Sequence, residues 1–454
     1  MARFLQPPAA KPVTDSQKQI DKRYKGLRLQ VFLGVYLGYA AYYLVRKNFT
    51  LAMPFIKENY GFSESQLGLA LAFNGIGYGI SKFLMGGVSD RSDARKFLPL
   101  GLILASVATI IAGTALGTAN IFMMALLQFL IGWFGGMGWP PCGRVMTHWF
   151  SRGERGTKMS IWNTAHNVGG GMVGTIAAFG TTMGISLGLG SLAWRFGSFY
   201  LPAAIAILVA LIAYLLIRDT PQSCGLPAIE QHRNDYAPDY SEHQETVLST
   251  KDIFFKYVLR NKWLWYIAMA NAFVYCVRYG VLDWAPTYLK DVKGYDFKAS
   301  GVAYSFYEWA AIPGTLFCGW LSDKVFKGRR SMTTIIFMAM VALAVFIYWR
   351  NPAGNPLIDN IALIAIGFFI YGPVMLIGVQ ALDLSPKNAA GASAGLTGFF
   401  GYFFGTSLLA NFVIGKVIQS YGWDVSFIVL IGCCLMSIVL MLLTHKGERA
   451  MVQK

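Results

Sequence analysis

Charged residues are scarce in this sequence, and acidic residues are fewer than basic ones. Asp, Glu, Lys and Arg make up 14% of the 454 residues, with 23 acidic against 39 basic side chains. An average soluble protein has about 25% charged residues, whereas the hydrophobic share here is 55%. This composition excludes an ordinary soluble domain and indicates a membrane protein.

Cysteines and catalytic motifs are also few. The chain has six cysteines, and most fall in apolar stretches, so no disulfide framework is expected. No spacing of His, Cys, Asp and Glu suggests a metal site. No Gly-rich motif with a Walker lysine is present, which argues against ATP-driven pumping. We therefore expect no enzyme, no metal and no cofactor.

Apolar runs of roughly 20 residues, enough to cross about 30 Å of hydrocarbon, recur along the chain. They lie roughly at 29–53, 65–88, 97–117, 120–147, 158–184, 192–217, 262–289, 299–321, 332–349, 358–384, 391–419 and 424–444. The runs are continuous rather than alternating, which argues against a β-barrel. The sequence therefore predicts an all-α membrane protein with twelve transmembrane helices.

The basic residues indicate a topology. A net charge of +16 could indicate nucleic-acid binding, but the basic residues cluster before the first apolar run and in alternate loops. The positive-inside rule then places both termini in the cytoplasm, and we expect no nucleic-acid partner. The loop after the seventh span is the exception, because it carries Lys290, Lys293 and Lys298. The first apolar run is too long for a cleaved signal peptide.

A long polar interval divides the chain into two halves. We predict a six-helix bundle with an N-terminal tail at 1–218, a cytoplasmic linker at 219–258, and a six-helix bundle with a C-terminal tail at 259–454. The halves repeat each other, since Gly-x-x-Ser-Asp-Arg at 86–91 reappears as Gly-x-x-Ser-Asp-Lys at 319–324. Parallel repeats of this kind place a substrate site where the halves meet.

Two arginines lie inside predicted spans, Arg46 in the first and Arg278 in the seventh, at matching places in the repeat. A cation within a membrane helix costs about 2.5–3.5 kcal/mol, so by default it marks a functional site. Each arginine shares a helical stripe with polar residues three and seven positions before it. The stripes are Tyr39, Tyr43, Arg46 and Asn271, Tyr275, Arg278. The pattern predicts an anion clamp, although snorkelling of each arginine to the headgroups stays open.

Longer motifs resemble a known family. The signature at 86–91 and its repeat are similar to the loop signature of the major facilitator superfamily. Three segments resemble its organophosphate:phosphate antiporter family: Tyr-Tyr-Leu-Val-Arg-Lys-Asn-Phe at 42–49, Gly-Trp-Pro-Pro-Cys-Gly-Arg at 138–144, and Arg-Asp-Thr-Pro-Gln-Ser-Cys-Gly-Leu-Pro at 218–227. The resemblance covers about residues 20–445.

The resemblance implies a fold and a function. The fold would be two pseudo-symmetric six-helix halves in a bacterial inner membrane. The function would be import of glycerol 3-phosphate in exchange for inorganic phosphate, by rocker-switch alternating access. A hexose phosphate is the alternative substrate, and a membrane phosphate-ester sensor is an alternative of another class. We expect a monomer surrounded by membrane lipid.

The resemblance also implies the residues of a phosphate site. Arg46 and Arg278 would bind phosphate, and Lys82 and His166 would assist. Aromatic residues would line the site: Tyr39, Tyr43, Tyr78, Trp139, Trp162, Tyr275, Tyr371 and Tyr402. From the residues alone, Lys82 could instead snorkel and His166 could be a packing residue, so these alternatives stay open.

Several acidic and loop residues are candidates for gating. Glu308 lies within a predicted span, and it or Asp283 could pair an arginine when the site is empty. Asp283 could equally be a plain boundary residue. The loop residues either gate the cytoplasmic side or only determine topology. They are Asp90, Arg91, Asp323 and Lys324.

Overall fold

The computed structural model of the protein describes residues 3–89, 92–150, 158–159, 161–233, 260–326, 329–383 and 396–452. Every regular element within these ranges is a helix, which confirms the predicted all-α class. The chain forms two compact units. One contains Met1–Asn48 and Gly77–Thr246, and the other contains Phe49–Ile76 and Val247–Lys454. Residues 49–76 thus group with the second unit, and the domain boundaries drawn from sequence stay a prediction.

The helices that carry or position the site are numbered in chain order. In chain order they are α1 (Gln17–Arg46), α2 (Asn48–Tyr60), α3 (Glu64–Ser89), α4 (Ala94–Ala112), α5 (Ile121–Gly135), α6 (Trp139–Trp149), α7 (Ala165–Ser186), α8 (Leu201–Leu216), α9 (Lys262–Leu282), α10 (Ala285–Asp291), α11 (Phe297–Trp320), α12 (Arg330–Arg350), α13 (Pro356–Asp383) and α14 (Ile414–Val452). Segments of π-helix occur at Phe196–Tyr200, Leu321–Val325 and Phe400–Val413.

Seven helical stretches of the described chain are long and apolar enough to cross a membrane. They are Ala94–Ala112, Ile121–Met146, Ile161–Ser186, Gly190–Leu216, Arg330–Arg350, Pro356–Ala381 and Leu396–Thr444. The last has 49 residues, enough for two crossings of about 20 residues each, and its backbone leaves the helical conformation at Gly422, where φ is 81°. The helices α1, α3, α9 and α11 are also long but carry polar residues. The count of twelve spans stays a prediction.

The first helix begins and ends earlier than the predicted span at 29–53. The side chain of Gln19 accepts a hydrogen bond from the Ser16 N–H at 3.0 Å, which caps the helix start. The polar residues before the apolar run therefore join the helix. The helix ends at Arg46, because Lys47 adopts φ −107° and ψ 3°. Arg46 lies at a break, and helical structure resumes in α2.

Glycines set the close approach of the helices that carry polar residues. A Cβ on Gly314 of α11 would overlap the carbonyl oxygen of Phe368, and a Cβ on Gly367 of α13 would overlap that of Tyr307. In the first unit, a Cβ on Gly169 of α7 would overlap a carbonyl oxygen of α1. Larger residues at these positions would push the helices apart. The contacts of the polar side chains between these helices depend on this spacing.

Two of the three lysines that depart from the positive-inside pattern are paired within the second unit. Lys290 pairs with Glu58. The Nζ of Lys293 lies 3.3 Å from Oδ1 of Asp359, and both side chains are almost fully buried. The amide of Asn351 donates to the same carboxylate at 2.8 Å. The folded unit therefore neutralises much of the charge of this loop.

Candidate functional site

The first arginine lies on a tyrosine ring within the first unit. Arg46 is 7% exposed, and the tyrosines that share its stripe on α1, Tyr39 and Tyr43, are buried as well. The Cζ of Arg46 is 3.6 Å from the ring centre of Tyr78 on α3 and 5.7 Å from that of Tyr43. A guanidinium over a tyrosine face is attracted by the ring quadrupole. The packing of Arg46 among tyrosines contrasts with the snorkelling alternative, which would expose its head.

Lys82 joins this cluster from the next turn of α3. Its Nζ is 5.9 Å from the ring centre of Tyr78 and 5.4 Å from that of Trp139. Trp139 in turn packs edge-on against Trp162 at 6.4 Å. Trp162 lies 4.7 Å from Tyr39, measured between ring centres. Two cations and five aromatic side chains of the predicted set, Tyr43 included, are therefore linked by ring contacts.

His166 borders the same cluster from α7. Its ring lies 5.7 Å from that of Tyr43, and its Nδ1 is hydrogen-bonded to the carbonyl oxygen of Asn163. A carbonyl oxygen only accepts, so the proton is on Nδ1 and Nε2 is left as the variable nitrogen. The close approach at Gly169 places this turn of α7 against α1. Neutral His166 presents an acceptor at Nε2, and the imidazolium presents a donor.

The second arginine is also buried among tyrosines, within the second unit. Arg278 is 4% exposed. Its Cζ lies 4.1 Å from the ring centre of Tyr371 on α13, 4.8 Å from that of Tyr279 and 5.8 Å from that of Tyr275. Tyr402 extends this cluster, with its ring 5.1 Å from that of Tyr275. Arg278 is thus held within an aromatic cluster built from three elements.

A buried carboxylate is part of the second cluster. Glu308 of α11 is 2% exposed, and its Oε2 accepts a hydrogen bond from the Tyr371 hydroxyl at 2.6 Å. The neighbouring Tyr307 hydroxyl donates to the main-chain carbonyl of Arg278 at 3.2 Å. The acid and the arginine therefore share Tyr371, one through its hydroxyl and the other through its ring. At the corresponding position of the repeat, 233 residues earlier, the first half has Gly75, so only the second half has an acid here.

The two arginine environments match in part. The distance from the guanidinium to the tyrosine three residues earlier is 5.7 Å for Arg46 and 5.8 Å for Arg278. The closer ring comes from another helix in each case, Tyr78 or Tyr371. These two tyrosines do not correspond in the repeat register. The repeat therefore reproduces the stripe on the arginine's own helix and not the ring that stacks on it.

The predicted gating residues have different outcomes. Asp283, at the end of α9, is 1% exposed, and its N–H donates to the Tyr279 carbonyl at 2.8 Å. Lys324 is exposed in a π-helical segment. Asp90, Arg91 and the side chain of Asp323 lie outside the described residues. The role of these residues in gating stays a prediction.

Sequence reasoning missed two tyrosines of the second cluster. Tyr279 and Tyr307 are both buried and contact Arg278 through the ring and the hydroxyl, respectively. Each is the direct sequence neighbour of a predicted site residue, Arg278 or Glu308. The side chains of adjacent residues on an α-helix point about 100° apart. A stripe of residues on one helix face therefore does not include the direct sequence neighbours of its members.

The helical membrane architecture, with an arginine buried among tyrosines in each unit, is that of a polytopic membrane carrier. The sequence profile of the Major Facilitator Superfamily matches residues 35–410, and the chain belongs to that family. Its members are transporters, so the protein is not an enzyme.

Named relatives and a solved structure agree with this assignment. The chain is 54% identical over 449 residues to a glycerol-3-phosphate transporter of Bacillus subtilis (strain 168), covering 98% of both chains. It is 51% identical over 437 residues to a glycerol-3-phosphate transporter of Haemophilus influenzae, covering 91% of this chain and 90% of the relative. A crystal structure of a bacterial homologue of the human lysosomal transporter Spinster, inward-facing and unoccupied, shares the fold. Its TM-score is 0.73 at 17% identity, covering 92% of this chain and 97% of the other.

Proposed function

We propose that this protein imports glycerol 3-phosphate across a bacterial inner membrane in exchange for inorganic phosphate. The observation that carries the proposal is the burial of one arginine in each unit on tyrosine rings. The names of the two relatives above half identity supply the substrate. Both termini would be cytoplasmic, as the distribution of basic residues predicts.

Arginine suits the phosphoryl group for a geometric reason. Its planar guanidinium donates two parallel hydrogen bonds to two oxygens, whereas lysine acts as a point charge. In this proposal Arg46 and Arg278 each donate to the phosphoryl oxygens, and Lys82 and His166 add contacts. The tyrosines and tryptophans around them border the glycerol. Stacking on Tyr78 and Tyr371 holds the guanidinium planes before substrate arrives, which lowers the ordering cost of binding.

Obligatory exchange follows from the charges. Burying a cation away from water is costly, and two cations acting on one phosphoryl group repel each other. A bound phosphate ester or phosphate ion compensates both. The loaded carrier should therefore change conformation readily, and the empty carrier slowly. Alternating access then moves one anion inward for each anion moved outward.

Counterflow with the purified protein tests the function. Proteoliposomes are loaded with radiolabelled phosphate, and its release is followed with and without external glycerol 3-phosphate. We expect release to be fast only with the external ester, and glucose 6-phosphate to compete weakly. Equal release in both conditions would contradict obligatory exchange. Binding of the ester without any counterflow would instead indicate a sensor.

A further inference from the structure

A second basic site lies in the first unit, apart from the arginine cluster. A cavity of about 440 Å³ opens beside the start of α1, the start of α4 and the segment after α8. Five basic side chains line it: Lys11, Arg23, Arg95, Lys96 and Arg218. None of the residues of the Arg46 cluster is among its lining residues. The function proposed above makes no use of this cavity.

The N-terminal tail forms one wall of the cavity. The N–H of Asp93, which precedes α4, donates to the carbonyl of Leu5 at 2.8 Å. The N–H of Lys11 donates to the carbonyl of Gln222 at 2.9 Å. The tail is thus hydrogen-bonded to two separate segments of the unit. The main chain of the tail therefore forms part of the cavity wall, beside the starts of α1 and α4.

The acidic groups of the cavity are already engaged. Asp219 accepts two hydrogen bonds from Arg144, at 3.0 and 3.1 Å, and a third from the Ala94 N–H at 3.0 Å. Asp93 accepts from the Arg95 N–H at 3.0 Å and lies 3.7 Å from the Lys96 ammonium.

The basic groups are left in excess. Among the residues that the structure describes, Lys11, Arg95 and Arg218 have no carboxylate within ion-pair distance. Arg95 and Arg218 are instead hydrogen-bonded to main-chain carbonyls of α8 and of the residue that follows it. Arg95 donates to the Tyr214 carbonyl at 2.9 Å, and Arg218 donates to those of Leu215 and Ile217. The cavity thus keeps a net positive charge that suits an anion.

Exposed apolar stripes begin next to this cavity. On α1, exposed leucines recur at four-residue spacing, one face of the helix. They are Leu29, Leu33 and Leu37. On α8 the exposed leucines are Leu208, Leu211 and Leu215. The two helices are joined beside Leu29 and Leu215 by a hydrogen bond from the Gln30 amide to the Leu216 carbonyl at 3.0 Å. A ligand with an anionic head and apolar chains fits such a junction.

We propose that the cavity binds the headgroup of an anionic phospholipid, with its acyl chains along the exposed stripes of α1 and α8. Basic pockets between membrane helices bind lipid phosphates through charge-assisted hydrogen bonds. The guanidinium groups of Arg95 and Arg218 and the ammonium of Lys11 contact the phosphate. The N-terminal tail closes over the headgroup. Anionic lipid therefore ties the tail to the helix ends.

Short-chain lipids and full-length protein test this proposal. The probe is dioctanoyl phosphatidylglycerol, titrated against detergent-purified protein and followed by native mass spectrometry. Each basic residue facing an anionic lipid contributes about a fivefold gain in affinity. We therefore expect Lys11→Gln to bind about fivefold more weakly, and Lys11→Gln/Arg218→Gln about 25-fold more weakly, by that increment. The single variant leaves the hydrogen bonds of the helix end intact, which keeps the test valid if the double variant misfolds.

A charge-matched control is available on α1. Lys22→Gln/Lys25→Gln removes two exposed cations near the cavity that do not line it, and its affinity should equal that of the wild type. Equal affinity of the wild type and both cavity variants would overturn the proposal, as would equal binding of dioctanoyl phosphatidylcholine. If inorganic phosphate stabilises the wild type more than the cavity variants while the lipid does not, the cavity is a soluble-anion site and the lipid proposal is wrong.

Discussion

Replacement of Arg46 by lysine is the most direct test of the proposed anion clamp. It keeps the positive charge but removes the planar guanidinium that donates two parallel hydrogen bonds. A lysine can make one of the two hydrogen bonds that the guanidinium makes to a phosphoryl group. Loss of one charge-assisted hydrogen bond costs about 1.5–3 kcal/mol, or about 10- to 150-fold in affinity. The contact at 3.6 Å with Tyr78 is also weakened. We expect transport to fall below detection at low external ester.

The assay is phosphate/glycerol-3-phosphate exchange in proteoliposomes at matched protein content. Arg195→Lys is the control, because Arg195 is also a buried arginine of the first unit but donates to the Gly113 carbonyl and the Thr118 hydroxyl outside the cluster. That variant should keep its exchange if it folds. Near-normal exchange by Arg46→Lys would refute the reasoning, because a point charge would then suffice. Arg278→Lys should show a loss of similar size.

Three further predictions follow from other contacts. Glu308→Gln keeps a hydrogen-bond acceptor but removes a buried negative charge near Arg278. The arginine should then bind the ester more tightly, so KM should fall, and the empty carrier should change conformation more slowly, so the maximal exchange rate should fall. Unchanged values of both would contradict a role of Glu308 in compensating the charge of Arg278. Gly367→Leu should cost about 1–3 kcal/mol through overpacking, seen as a lower Tm, whereas Gly378→Leu on the same helix, where a Cβ would meet no atom within 4 Å, should not. Burial lowers the pKa of His232 below its usual value near 6.5. Its neutral form is favoured in the folded segment, so the packing of residues 229–233 should weaken as pH falls below 6.5 towards the lowered pKa. Hydrogen exchange of this segment should show the weakening, and His232→Gln should remove the pH dependence.

The sequence predicted the parts of the site that lie on one helix. The period of Tyr39, Tyr43 and Arg46 depends only on helix geometry, and all three side chains are buried. The same holds for Tyr275 and Arg278 on α9. A buried stripe with a cation is visible without knowledge of the neighbouring helices.

The rest depends on packing between distant segments. Which ring stacks on each arginine is decided by how closely α3 approaches Arg46 or α13 approaches Arg278, and in the second unit glycines against carbonyl oxygens set the spacing of α13 from α11. The hydrogen bond from Tyr371 to Glu308 spans 63 residues. The break of α1 at Lys47 falls within the polar stretch Arg46-Lys47-Asn48, which the predicted span at 29–53 ran through. No local pattern encodes these features.

The pairing of Lys293 with Asp359 has a consequence for how the chain is made. During synthesis the lysine emerges long before its partner, because α11 and α12 lie between them. Until α13 begins, the ribosome-bound chain therefore carries an uncompensated cation in the loop after α10, close to Lys290 and Lys298. In the topology predicted from the basic residues, the intervening helices insert while that loop opposes the positive-inside rule. The ion pair can therefore form only after Asp359 has been synthesised, and it becomes buried when the second unit packs around it.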